Sequence, residues 1–306
     1  MDKVIMVIGP TGVGKSDVGI RLAKKLGTEI ISADSIQVYR KLNIGSAKVT
    51  EDEADGVVQH LIDILDPDEN YSVCDFQRMS RKIAAELHAE KKVPVVVGGT
   101  GLYTKAMVYD YAFENEVEPD MFISSKKEVS SEDLYRELLS ADPKAAESIH
   151  PNNRKRVLRA LWMANAGTRK SDVIEAQKHE LVYDTFFIEL TMPKDALTDR
   201  INRRVDKMAE AGLKEEIEGL IREYPDLWNF QSMAGIGYKE WKGYFEGTLI
   251  LDETLELIKK NTRRFVKRQY TWFRHQMPQN WYDVTNPDDL ARMEDDLERW
   301  MNDHEK

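Results

Sequence analysis

The stretch Gly9-Pro10-Thr11-Gly12-Val13-Gly14-Lys15-Ser16 carries residue types suited to gripping phosphate. It reads G-x-x-x-x-G-K-S. Its glycines let consecutive backbone N–H groups turn inward and line an anion-binding concavity. Lys15 adds a full positive charge, and the Ser16 hydroxyl can ligate a Mg²⁺ ion. A loop of this kind binds a diphosphate or a triphosphate. Two further groups share its chemical character. Asp34-Ser35-Ile36-Gln37 puts a carboxylate beside a hydroxyl and an amide, and Gly98-Gly99-Thr100 puts a hydroxyl beside two residues that let backbone approach a ligand closely.

Each group follows an apolar run of strand type. Val4–Ile8 precedes the glycine loop, Glu29–Ser32 precedes Asp34, and Val93–Val97 precedes Gly98. After the loop, Val18, Ile20, Leu22, Ala23 and Leu26 recur at helical spacing, and Gly27 ends the helix. Strands alternating with helices predict an α/β fold, a doubly wound parallel sheet of the phosphate-loop type. All strands of such a sheet point the same way, so the three groups share the edge where ligands bind. Two uses are open to Asp34, a helix N-cap or chemistry at that edge, and the polar run D-S-x-Q exceeds what a cap requires. Thr100 has the same two uses. A further strand is expected over His60–Pro67, and a helix after Tyr71-Ser72 through Phe76, Met79, Ile83 and Leu87.

The 306 residues suffice for one large domain carrying an insertion, and 42 % hydrophobic with 32 % charged residues is ordinary for a globular chain. The lone Cys74 excludes an internal disulfide and any cysteine-based metal site, and it reads as a small buried residue. No apolar run approaches membrane-spanning length, and Met1-Asp2-Lys3 leads directly into the first strand, so the expected location is the cytoplasm. A net charge of −10 argues against a nucleic-acid partner only if the charge is evenly spread. It is not. Lys259, Lys260, Arg263, Arg264, Lys267, Arg268 and Arg274 share one helix, with no acidic residue between Lys259 and Arg274. Ile258, Phe265 and Trp272 are expected to dock that helix, leaving its basic side for phosphates. The acid gathers instead in a closing helix, Leu290 to Trp300.

From about Asp110 the pattern changes. Asp110 to Ser131 is irregular and polar. Short helices follow: one through Leu134, Leu138 and Leu139, one opening at Asp142-Pro143, and one from Asn152 that carries Arg154, Lys155, Arg156 and Arg159. Residues 110–182 therefore read as a small helical insertion domain between a first core segment, 1–109, and a second, 183–306. The second opens with the strand Tyr183–Leu190. It continues with a long helix from Pro193 bearing Arg200, Arg203 and Arg204, then a glycine-broken loop, Ala234 to Glu240.

In this order the pieces resemble the bacterial tRNA dimethylallyltransferases, also called tRNA isopentenyltransferases. The resemblance rests on Gly9–Ser16, Asp34–Arg40 (D-S-I-Q-V-Y-R), Asn43–Lys48, His60–Asp63, Tyr71-Ser72 and Gly98–Tyr103. It continues through Asp142-Pro143, Arg156–Leu161, Gly235–Glu240 and Thr262–Arg274. One departure is visible: the stretch between Tyr111 and Ser131 is shorter than the family's usual insertion.

The resemblance implies transfer of a dimethylallyl group from its diphosphate to the exocyclic amine of the adenosine 3′ to the anticodon, with release of diphosphate. It implies Asp34 as proton acceptor. Thr100, Arg204, the phosphate loop from Gly9 to Ser16 and a Ser16-bound Mg²⁺ would stabilise the departing anion. It places tRNA contacts at Ser35, Ile36, Gln37, Arg154, Arg156, Arg159, Gly237, Lys239, Arg264, Lys267 and Arg268. The expected partners are the tRNA anticodon stem-loop and dimethylallyl diphosphate, with no membrane, and the protein acting as a monomer. The phosphate loop alone leaves two other classes open, a small-molecule kinase and an RNA-linked ATPase. The absence of an N-K-x-D run weakens a GTPase form of the latter.

Overall fold

Lys3–Ile8 (β1) is apolar at five consecutive positions, Val4 to Ile8, and all five are inaccessible to solvent. A strand buried on both faces belongs inside a parallel sheet. The computed structural model describes residues 1–111, 120–176 and 179–303 and places β1 there. The chain continues with α1 (Lys15–Leu26), β2 (Ile30–Ser32), α2 (Glu51–Ala54), β3 (Gln59–His60), α3 (Val73–Ala89), β4 (Val95–Gly98) and α4 (Gly101–Val108). Five helices follow: α5 (Asp120–Ser125), α6 (Ser131–Ala141), α7 (Pro143–Ser148), α8 (Arg154–Asn165) and α9 (Lys170–Ala176). The sheet resumes with β5 (Asp184–Thr191), α10 (Lys194–Glu210), α11 (Leu213–Glu223), α12 (Trp241–Phe245), α13 (Leu251–Gln276), β6 (Trp281–Asp283) and α14 (Pro287–Asn302).

Among the described residues the six strands form one sheet in the order β3-β2-β4-β1-β5-β6, every pair parallel. Alternation along β1 divides the core. Val4, Met6 and Ile8 join Phe76, Met107 and Phe273 in one apolar layer, while Ile5 and Val7 join Val18, Leu22, Ile201 and Leu297 in the other. Local signals set the helix ends. Ser72 and Asp75 cap α3 reciprocally, side chain to backbone, at 3.1 and 3.2 Å, and Gly27 ends α1 in the left-handed conformation at φ 60°.

The chain divides into two compact units, one of Met1–Tyr109 with Leu181–Lys306 and one of Asp110–Glu180. The return to the first unit comes two residues earlier than the expected 183. Leu181 already pairs with Tyr109 in an antiparallel bridge, and the Val182 N–H bonds to the Val108 carbonyl at 2.8 Å. The second unit has its own apolar centre, including Leu134, Leu138, Ala146, Val157 and Leu161. Residues 112–119, part of the stretch expected to be irregular, lie outside the described residues. Asp120–Ser125, in the same stretch, is helical.

Other expectations fail for identifiable reasons. The strand expected over His60–Pro67 shrinks to Gln59–His60, because Leu61 at φ 63° and Asp63 at φ 55° turn the chain away. Cys74 is half-buried rather than buried. The docking face of α13 is Thr254, Ile258, Thr262, Val266, Gln269 and Phe273, while Phe265 and Trp272 flank it half-exposed. Strand β6 was not anticipated, since three residues carry too little pattern to be read.

Candidate active site

The loop between β1 and α1 is built by glycine stereochemistry. Gly14, the residue before α1, sits at φ 103°, which only glycine adopts readily, and no side chain caps the helix there. The first N–H groups of α1 therefore face the loop's concavity, the arrangement that suits an anion. Gly9 lets β1 pass close to β5, for a Cβ there would stand 2.7 Å from the Leu190 carbonyl oxygen. The Lys15 ammonium donates to the Pro10 carbonyl at 2.9 Å. Burial lowers its pKa to about 8, Asp34 pulls it back up, and Arg204 pushes it down further. Arg204, reaching in from α10, is likewise lowered by burial, with Asp34 opposing and Arg200 assisting. Lys15, Arg204 and Asp34 thus share one electrostatic site at the C-terminal edge of the sheet, two cations flanking a carboxylate.

Asp34 follows β2, and it caps no helix. Its Oδ1 accepts the N–H groups of Ile36 at 2.8 Å and Gln37 at 3.2 Å, a cap-like turn with no helix after it. Both of these bonds engage the same oxygen. The Gln37 amide donates to the carbonyls of Ser46 and Ala47 at 3.2 Å each, so reading a base edge with it requires releasing them. Ser35 is half-exposed, and Ile36 packs where a Cβ on Gly235 would lie 2.9 Å from its side chain. Thr100 stands at the N-terminus of α4 but makes no side-chain cap bond, so capping does not explain its hydroxyl. Ser16 lies half-exposed in the first turn of α1.

The residues expected to meet RNA divide by environment. Arg264, Lys267 and Arg268 are exposed on α13 opposite its buried stripe, with Arg268 over the Phe265 ring at 5.5 Å. Two neighbours on that helix are committed to α10, Arg263 to Asn202 at 2.6 Å and Lys259 to Asp206 at 2.7 Å. Lys239 is exposed. Gly237 is not: it is buried, its N–H bonds to Glu240 at 2.9 Å, and a Cβ would meet the Gly45 carbonyl oxygen at 2.9 Å. The expected contact there gives way to a close backbone approach that holds the Asn43–Lys48 loop. In the second unit, the Arg154 guanidinium is spent on the carbonyls of Lys126, Lys127 and Val129 at 2.6–3.1 Å. Arg156 and Arg159 are exposed; burial lowers the pKa of Lys170, and these two charges lower it further.

Two residues outside the expected set turn out to shape the site. Glu216 of α11 accepts the N–H groups of Asn43, Ile44 and Gly45 at 3.0, 2.7 and 3.3 Å and the Tyr238 hydroxyl at 2.7 Å. Gln269, buried in α13, accepts the Thr11 N–H and donates to the Gly99 carbonyl, each at 2.9 Å. A sequence signal existed for Gln269, an amide at a core-facing position of the stripe Thr262, Val266, Phe273. None existed for Glu216.

A strand, a glycine loop ending in Lys-Ser and a helix, set on a parallel sheet with a carboxylate facing the loop, define a phosphate-loop α/β protein. Comparison with known proteins narrows the class. The sequence model described as IPP transferase matches residues 37–276, and that described as isopentenyl transferase matches residues 2–66. The chain belongs to the IPP transferase family. It is 44 % identical over 286 residues to the tRNA dimethylallyltransferase of Anoxybacillus flavithermus, covering 93 % of this chain and 91 % of that one. The crystal structure of the full-length tRNA isopentenylpyrophosphate transferase of Bacillus halodurans matches with a TM-score of 0.71 at 39 % identity, over 98 % and 97 % of the two chains. A eukaryotic dimethylallyltransferase acting on tRNA matches with a TM-score of 0.84 at 28 % identity, over 98 % of this chain and 80 % of the other.

Proposed function

We propose that this chain transfers a dimethylallyl group from dimethylallyl diphosphate to the exocyclic amine of the adenosine 3′ to the anticodon of tRNA, releasing diphosphate. The observation that carries this reading is the grouping of Lys15, Arg204 and Asp34 at one sheet edge in a member of this family. The amine nitrogen bonds to the allylic carbon, the carbon–oxygen bond breaks, and its electron pair leaves with diphosphate. The growing anion meets the Lys15 ammonium, the Arg204 guanidinium, the N–H groups opening α1 and the Thr100 hydroxyl, a preorganised field of donors. The amine sheds its proton to the Asp34 carboxylate, whose Oδ1 is held by backbone and whose orientation is therefore set. The adenosine must leave its stack to reach that group.

The donor set fits Mg²⁺ as a phosphate-borne ion. Among the described residues no group of three or more His, Cys, Asp or Glu is placed to hold a metal, and Ser16 offers one hydroxyl in the first turn of α1. Mg²⁺ needs few protein ligands, and the Ser16 hydroxyl would supply one. When bound it neutralises diphosphate charge. Half-exposed Ser35 and exposed Lys239, Arg264, Lys267 and Arg268, with Arg156 and Arg159 of the second unit, are the proposed tRNA contacts. The protein is proposed to act as a cytoplasmic monomer, and no helix among the described residues is long and apolar enough to cross a membrane. The test is incubation with unmodified tRNA and radiolabelled dimethylallyl diphosphate, beside a parallel reaction with labelled ATP. Label is expected in RNA from the prenyl donor alone. ATP turnover without prenylation would favour a kinase or ATPase instead.

A further inference from the structure

We propose that Gln269 is a positioning residue of the donor site, a role that deepens the prenyl-transfer reading and rests on it for its catalytic consequence. The side chain is 5 % exposed and comes from α13, far along the chain from the two loops it joins. Its Oε1 takes the Thr11 N–H at 2.9 Å, and its Nε2 gives a hydrogen bond to the Gly99 carbonyl at 2.9 Å. One amide therefore sets the gap between the phosphate loop and the β4–α4 loop. The two bonds do different work: the Thr11 bond fixes the phosphate loop in place, and the Gly99 bond bears on the charge of the site. Gly99 lies beside the Lys15 ammonium, since a Cβ on it would stand 3.4 Å from Nζ. A carbonyl released there is a competing acceptor for that ammonium, and Gln269 keeps it engaged elsewhere. Thr100 sits between two fixed points. Gly99 is tied by Gln269, and Gly101 is covered by Trp272, whose ring leaves no room for a Cβ there. The Thr100 hydroxyl inherits its place from α13.

The experiment compares the wild type with Q269M, which keeps reach and volume but makes neither bond, and Q269E, which keeps the Thr11 bond, loses the Gly99 bond and adds a negative charge near Lys15. Three quantities are measured: affinity for inorganic diphosphate by calorimetry, tRNA affinity by filter binding, and kcat and KM for prenyl transfer. Diphosphate affinity is expected to fall about tenfold in Q269M and further in Q269E, as expected when buried hydrogen bonds are lost and a like charge is added. The kcat is expected to fall on the order of 10²-fold, the usual cost of misplacing reacting groups by about 1 Å. Affinity for tRNA stays within about twofold, because Gln269 lies on the buried side of α13. Unchanged diphosphate affinity in the folded Q269E protein overturns the proposal, as does a loss of melting temperature in both variants with kcat and KM intact. A wild type that binds diphosphate but prenylates no tRNA overturns the prenyl-transfer reading instead, and the calorimetry still decides the role of Gln269.

Discussion

Replacing Glu189 by glutamine isolates a stability cost built into the sheet. Glu189 lies on β5 opposite Ile8 of β1 and Trp281 of β6, and it is inaccessible to solvent. Neither carboxyl oxygen meets a hydrogen-bond partner among the described residues. Burial raises its pKa from 4.5 to about 8, with the Asn280 backbone near enough only to temper the shift. The folded state therefore holds a proton that the unfolded chain releases above 4.5. Stability is full below that value and declines as pH rises towards about 8, by roughly 1.4 kcal/mol per unit. Two and a half units separate 4.5 from pH 7, so the cost at neutral pH is about 3 kcal/mol. Glutamine has nearly the same shape and never ionises. Glu189→Gln should match the wild type in urea unfolding at pH 4 and exceed it by about 3 kcal/mol at pH 7, with a melting temperature higher by on the order of 5 °C. A difference independent of pH would show that the carboxyl is hydrated or paired in solution, and the reasoning would fail.

Asp34→Asn should keep its turn, since an amide oxygen can still accept from Ile36 and Gln37, yet lose about 10²–10⁴-fold in single-turnover transfer; near-normal turnover would leave Asp34 as a turn residue only. Lys15→Met should lose most donor affinity and keep tRNA binding, which calorimetry and filter binding separate. In the wild type, donor affinity should weaken as pH rises past about 8, where the lowered pKa of Lys15 lets the ammonium lose its proton; a flat profile to pH 9 would contradict that charge assignment. Neutralising Arg264 and Lys267 together should weaken all substrate tRNAs alike and flatten the salt dependence of binding by roughly one to two units of slope, and an unchanged slope would make them a solvated face.

What could be read along the chain is what local chemistry decides. The phosphate loop is eight consecutive residues, and its strand and helix are declared by apolar runs of the right period on either side. Ser72, Gly27 and Asp142 mark helix boundaries because a cap bonds within three or four residues of itself. The shared edge of the three site groups follows from parallel strands, without knowing their order. Other features waited for the tertiary structure, because periodicity says which face of an element is buried but not what that face meets. Gln269 occupied a legible core position, yet its bonds to Thr11 and Gly99 exist only because α13 packs across two loop ends in one particular register. Glu216 looks like any charge on a surface helix until folding brings three backbone N–H groups to it. The same holds in reverse for Arg154, Arg263 and Gly237: charge or motif suggested an outward role, and long-range carbonyls, amides and close backbone contacts took them inward. Glu189 is the extreme case, an acid that no pattern marks as buried and that the sheet order alone encloses.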